Sequence, residues 1–214
     1  MNKLDEARRS LLRSAGGLTC AALVSLTVLA GCDKSKPGGP PLPKLKFNAV
    51  DITGADYARQ LALKDFDGRD RSLADFQGKV VFVFFGFTQC PDVCPTTMAE
   101  LAEVRRRLGA DGNRVQGVFV SVDPERDTAP VLKAYLTGLD PSFIGLTGSL
   151  AQIEATAREF KVFYQKVPTT GNNYTMDHTA GAYVFDPAGR VRLFVRYGLG
   201  VDALTADLKQ LLAH

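Results

Sequence analysis

The chain has 214 residues, 45% of them apolar, a net charge of only +3 and four cysteines. That length fits one domain of ordinary size with appendages, and the apolar share is enough for a packed core. The small charge excludes a strong basic field for nucleic acid, and so few cysteines exclude a disulfide-stapled scaffold.

The first 31 residues read as an export signal. "MNKLDEARRSLLR" sets Lys3, Arg8, Arg9 and Arg13 against Asp5 and Glu6, and the apolar run after it, "LTCAALVSLTVLAG", is short for a membrane span. The run ends in Leu29-Ala30-Gly31-Cys32, which resembles the bacterial lipobox, where the cysteine is lipidated and becomes the first residue of the mature chain. "RRSLLR" is only weakly similar to a twin-arginine signal, so the general export route is expected. Removing residues 1–31 takes four basic and two acidic groups from the +3 and leaves +1, so attachment to a membrane would come from lipid rather than charge. Cys20 would leave with the signal and Cys32 would carry the lipid. Only Cys90 and Cys94 remain, and a single close pair in an exported protein points to chemistry.

Residues 32–44, the lipidated cysteine and "DKSKPGGPPLPK", read as a tether rich in Pro, Gly and Lys. The domain is expected over 45–214. "LALKDFDGRDRSLADFQGK" holds a short strand, a turn at Asp67-Gly68 and a short helical or turn segment. "VVFVFFGF", 80–87, is a continuous β-rich apolar run, as in a strand buried on both faces, and "VQGVFVSVD" reads as a second buried strand. Between them, 95–108 reads as a helix with Met98, Leu101, Ala102, Val104 and Leu108 at roughly helical spacing. "APVLKAYLTGL" is a helix, "FIGLTG" a short strand, and "SLAQIEATAREFKV" a helix capped by Ser149. "AGAYVFDPAGRVRLFVRY" is two strands around a turn at Asp186-Pro187-Ala188-Gly189. "VDALTADLKQLLAH" is an amphipathic terminal helix. The order β-α-β-α-(β)-α-β-β-α predicts an α/β fold: a central mixed sheet flanked by helices in the thioredoxin-like layout, with an N-terminal extension.

The cysteine pair lies in "FFGFTQCPDVCPTTMAEL", past the end of the first buried strand, where open α/β sheets place their sites. Within a regular helix the two Cβ atoms would be about 5–6 Å apart, whereas a disulfide needs roughly 3.5–4.5 Å. Pro95 disfavours a helical Cys94 and suits the first helical position, which makes Cys94 the expected N-cap and puts Cys90 in the loop before it. Both a disulfide and an open two-thiolate clamp are then accessible. The helix N-terminus is expected to lower a nearby thiol pKa, which serves either chemistry. Of the two histidines, His214 ends the chain. His178, in "YTMDHTAGAYVFD", stands where thioredoxin-like proteins carry a proline facing the cysteine pair. Two thiolates and an imidazole suit copper; zinc accepts the same set, and a histidine merely hydrogen-bonded at a strand edge fits the position too.

These residues are similar to the SCO/SenC family of copper-binding assembly factors for cytochrome c oxidase. "FNAVDITGADY", "GKVVFVFFGFTQCPDVCPTTMAEL", "VFVSVDPERDT", "FIGLTGS" and "YTMDHTAGAYVFDPAGRV" resemble the family's blocks, in order, across nearly all of the chain after residue 44. The resemblance implies a tethered thioredoxin-like domain facing the periplasm from the bacterial inner membrane. It implies one copper ion, Cu(I) or Cu(II), held by Cys90, Cys94 and His178. It also implies a part in building the copper A centre of oxidase subunit II, by giving copper, by reducing that subunit's cysteines, or both. Other periplasmic copper chaperones and thiol reductases are further expected partners.

Around that set, Asp123 in "SVDPERD" and Asp177 beside His178 are candidates to orient a ligand or meet a partner, and Phe87 to shield the metal from water. Met176 is read as core, and Arg105-Arg106-Arg107 as a solvated helix end. The competing function is a thiol–disulfide oxidoreductase with Cys90 and Cys94 as its redox pair. "VCPTT" is faintly similar to peroxidase sites of the peroxiredoxin kind. Those need a Thr or Ser three residues before the reactive cysteine, where this chain has Phe87 or Pro91, so that reading is set aside.

Overall fold

The computed structural model describes residues 45–214. The expected signal (1–31), the expected lipid on Cys32 and the expected tether to residue 44 lie outside the described residues. Among the described residues ten strands and four α-helices follow in chain order: β1 Val50–Asp51, β2 Ala62–Asp65, β3 Asp70–Ser72, β4 Val80–Gly86, α1 Val93–Leu108, β5 Val115–Ser121, α2 Ala129–Thr137, β6 Ile144–Thr147, α3 Leu150–Glu159, β7 Tyr164–Pro168, β8 Tyr174–His178, β9 Gly181–Phe185, β10 Val191–Arg196 and α4 Val201–Leu212. Among the described residues no helix is long and apolar enough to cross a membrane.

Eight strands form one mixed sheet in the order β1-β10-β9-β4-β5-β6-β2-β3. The centre, β4-β5-β6, is parallel; β9, β10 and β1 on one side and β2 and β3 on the other are antiparallel. All seven residues of β4 and all seven of β5 are buried, as the unbroken apolar run of β4 requires when helices cover both faces; the two polar residues of β5, Gln116 and Ser121, are buried with hydrogen-bond partners. Phe82, Phe84, Phe85 and Phe119 are at most 1% exposed, and burying each aromatic ring is worth about 1.5–3 kcal/mol.

The two faces are filled differently. Phe84 and Phe119 are register partners on one face, beside Gly86, and Phe119 in turn meets Tyr135 of α2. Leu101 of α1 reaches the same face over Gly117, and Leu204 of α4 lies beside Phe82. On the other face Phe85 packs against Phe160, which ends α3, with ring centroids 5.1 Å apart. α3 begins with the expected Ser149 cap, closed as a capping box by Gln152. The β9–β10 turn is held by Asp186, which accepts from the backbone N–H of Ala188 and Arg190.

Two departures from expectation matter for the site. Helix α1 begins at Val93 with Asp92 as its N-cap, so Cys94 lies inside the first turn and is not the cap. Pro95 is tolerated there because the first-turn N–H groups have no intrahelical partner, and the ladder starts with Thr96 N–H donating to Asp92 O at 3.1 Å. The second departure is a separate two-stranded sheet, β7–β8, that is not hydrogen-bonded to the main one. Sequence reading assigns no element to these residues. Only Met176 of the two strands is buried, so they show no apolar alternation to find. Arg105 also departs from the solvated end: it is largely buried and pairs with Asp140 at 3.1 Å, while Arg106 and Arg107 bind Glu103 at the surface.

Candidate metal centre

Three elements converge at the C-terminal end of β4. The chain leaves β4 at Gly86 and makes a short loop carrying Cys90, then enters α1 with Cys94 in its first turn. His178 arrives from the far end of β8. The two Sγ atoms and the imidazole nitrogen all lie within 4.8 Å of one another, and Cys94 Sγ is 3.5 Å from His178 Nε2. Among the described residues no other three His, Cys, Asp or Glu side chains gather this closely. Metal–ligand bonds of about 2.0–2.3 Å put two donors on one ion roughly 3.5–4.6 Å apart, so the gathered donors fit a single small ion. Both cysteines are free thiols, in the open form of the clamp.

The surroundings fix each donor. Cys94 is fully buried and Cys90 half-buried. The Cys94 backbone N–H, one of the unpaired donors at the helix start, points to Cys90 Sγ at 3.4 Å. Gly86 is glycine because of close approach: a Cβ there would lie 2.8 Å from Cys94 Sγ and 2.8 Å from the Phe84 ring. His178 Nδ1 is 3.1 Å from the Thr179 carbonyl, which can only accept. Nδ1 therefore carries the hydrogen, and the lone pair of neutral imidazole sits on Nε2, facing Cys94. Phe84 and Phe87 stand edge-on to the imidazole, each with centroids 5.9 Å away.

Charge in the site is set by burial. The Cys94 thiol is pushed well above its usual range, first by burial and then by Cys90 and Asp127 beside it. This overturns the expected lowering: desolvation of a buried thiolate outweighs one helix terminus. Without a cation, Cys94 is a neutral thiol, and a metal ion that binds must displace its proton. Burial also lowers the pKa of His178 below 6.5, partly offset by the Thr179 carbonyl and the Asp177 charge. The unfolded imidazole takes up a proton near 6.5 while the buried one resists. Its contribution to stability is therefore full above that pH and lost as pH falls below it. Urea unfolding of the metal-free protein is expected to show this loss as pH falls below 6.5, and His178→Ala to remove that part of the slope. An identical slope in the variant would assign it elsewhere.

The other expected residues are placed unequally. Asp177 is exposed on β8, turned away from its neighbour His178 by the two-residue strand period; it meets the site only through its field. Asp123 is buried but bonds none of the three donors. It accepts from Tyr174 Oη at 2.9 Å and pairs with Arg126. The buried carboxylate nearest in effect to Cys94 is Asp127, four residues on, which sequence reasoning misses. It accepts from Thr88 N–H, Thr88 Oγ1 and Ser121 Oγ and so ties the cysteine loop to the end of β5. Both aspartates stand in one loop after a strand and both are buried, and no sequence pattern says which of them meets the cysteine loop. Met176 is buried as core.

Residues 50–213, most of the described domain, match the family model for SCO1/SenC. The chain belongs to the SCO1/SenC family. Its thioredoxin-like fold matches the copper-bound ScoI of Bradyrhizobium japonicum with a TM-score of 0.66 and 41% identity, over 71% of this chain and 97% of that one. BsSco, a member of the Sco family of cytochrome c oxidase assembly proteins in which a disulfide switch was identified, matches with a TM-score of 0.59 and 25% identity, over 77% of this chain and 98% of that one. The mitochondrial SCO2 homologue of Bos taurus is 36% identical over 155 residues, 71% of this chain and 58% of that protein. The chain therefore spans less than two thirds of that relative's length.

Proposed function

We propose that this SCO1/SenC chain is a membrane-tethered copper metallochaperone that carries one copper ion between Cys90, Cys94 and His178 and serves assembly of the copper A centre of cytochrome c oxidase. The observation that carries the reading is the cluster of two sulfurs and one imidazole within 4.8 Å, the single such cluster among the described residues. Membership of a family with copper-bound ScoI supports copper over zinc, as does the softness of the donors. Cys90 and Cys94 supply thiolates that suit Cu(I), and the imidazole extends the set towards Cu(II). Phe84 and Phe87 limit water at the ion. The expected lipid on Cys32 would tether the domain to the inner membrane, facing the periplasm, with oxidase subunit II as recipient and other periplasmic copper chaperones as donors.

A protein recipient is favoured by what surrounds the donors. Tyr197 and Phe163, 43% and 57% exposed, lie beside segments that carry the site. Tyr197 Oη bonds Asp92 at the start of α1, and Phe163 pairs with Thr179 next to His178. Exposed aromatic residues of this kind suit docking of another protein.

The second reading, a thiol–disulfide reductase acting on oxidase subunit II or another exported protein, is favoured by the two free thiols and by the disulfide switch of BsSco. In it Cys90, the sulfur reachable from solvent, makes the first exchange and Cys94 resolves it. Copper titration of the reduced protein, with visible and electron paramagnetic resonance spectra, separates the two. One equivalent bound with thiolate-to-Cu(II) bands is the expected result. Weak, non-stoichiometric copper with a readily exchanging disulfide would shift the assignment to the reductase.

A further inference from the structure

The β7–β8 hairpin brings His178 to the cysteines, yet it forms no ladder with the main sheet and buries only Met176 along its strands. At the His178 end, Phe163 and Thr179 hold each other through two bonds, Thr179 N–H to Phe163 O at 2.9 Å and Phe163 N–H to Thr179 Oγ1 at 3.0 Å. At the other end of β8 one guanidinium gathers three segments. Arg126 Nη1 donates to the Tyr174 carbonyl at 2.8 Å and to Gln89 Oε1 at 3.1 Å, with Asn173 Oδ1 at 3.5 Å. Its Nε pairs with Asp123, and its Cζ sits 3.7 Å above the Tyr174 ring. Tyr174 Oη closes the circuit on Asp123 at 2.9 Å. Gln89 immediately precedes Cys90. One side chain thus bridges the loop after β5, the cysteine loop and the histidine hairpin.

We propose that Arg126 is a positioning residue for the metal centre: it clasps the His178 hairpin to the Cys90 loop and so sets the approach of imidazole to sulfur. The proposal rests on the copper reading only for its spectroscopic arm. A planar fork with several donors can bond three acceptors and lie flat on a ring at once; a lysine ammonium keeps the charge opposite Asp123 but not that geometry. A purely structural ion pair would therefore tolerate lysine, and a clasp would not.

The test compares wild type, Arg126→Lys and Arg126→Gln in the full-length chain. In the metal-free protein, amide hydrogen exchange of Thr175–Thr179 is expected to quicken about tenfold in both variants while β4 and β5 amides keep their protection. With copper, Cu(II) affinity is expected to fall about tenfold or more, with altered thiolate-to-Cu(II) bands, while Cu(I) affinity changes little. Hairpin exchange and a Cu(II) spectrum like wild type in Arg126→Lys would overturn the clasp. If these variants do not fold, Gln89→Ala combined with Tyr174→Phe takes their place; it removes one arm and the Asp123 closure, and an unchanged hairpin there would overturn the clasp equally. Copper that ignores Cys90, Cys94 and His178 in the wild type would count against the metallochaperone reading alone, since the exchange arm holds no metal.

Discussion

Replacing His178 with alanine is expected to weaken Cu(II) binding by at least about 100-fold while Cu(I) affinity falls by less than about tenfold. Losing a group that merely supports a ligand typically costs about 10–100-fold in metal affinity, so losing the ligand itself sets that lower bound. The asymmetry follows from the donors. Cu(I) is soft and is satisfied by the two sulfurs, whereas Cu(II) gains from the harder imidazole nitrogen. The geometry favours the imidazole further: the Thr179 carbonyl fixes the tautomer, Nε2 stands 3.5 Å from Cys94 Sγ, and two phenyl rings restrict the ring's orientation. Competition titrations against chelators for each oxidation state give the two affinities. Equal loss of both would break the proposed division of labour between sulfur and nitrogen. Retention of both would remove His178 from the donor set.

The parts of this molecule that were legible in its sequence are those governed by burial. The unbroken apolar run of β4, the mostly apolar run of β5, the leucines of α4 and the Ser149 cap each carry a pattern with one physical reading, and each is where that pattern puts it. What sequence reading misses is surface-built. The β7–β8 hairpin is held by its roots and by Arg126 rather than by an apolar face, so it has no periodic signature. For the same reason the sequence names Asp123 and Asp177 beside the site but cannot say that one faces Arg126 and the other solvent. The sign of the Cys94 shift is the instructive error. A helix N-terminus favours a thiolate, yet the first turn of α1 packs Cys94 beneath Gly86 and Phe84, and burial wins. Helix position is a local property that sequence displays; desolvation depends on what the rest of the chain brings over the sulfur.

Closing Cys90 and Cys94 into a disulfide is expected to abolish copper uptake. The bond consumes both thiolates and leaves one imidazole, which alone has little hold on Cu(I). It also requires movement, since the sulfurs stand apart as free thiols and must come to about 2.05 Å. Cys94 is the fixed partner, buried in the first turn of α1 with no room on the Gly86 side. Cys90 belongs to a short loop and is half-buried, so it should make the approach, and brief treatment with an alkylating reagent should label Cys90 ahead of Cys94. Gel filtration of oxidised and reduced protein after incubation with copper, followed by metal analysis, reads the outcome directly. Near-stoichiometric copper on the reduced form and almost none on the oxidised form would mean that the thiol state gates the cargo, so that reduction must precede loading. Undiminished copper on the oxidised protein would place the metal at some other site and leave the pair to redox exchange alone.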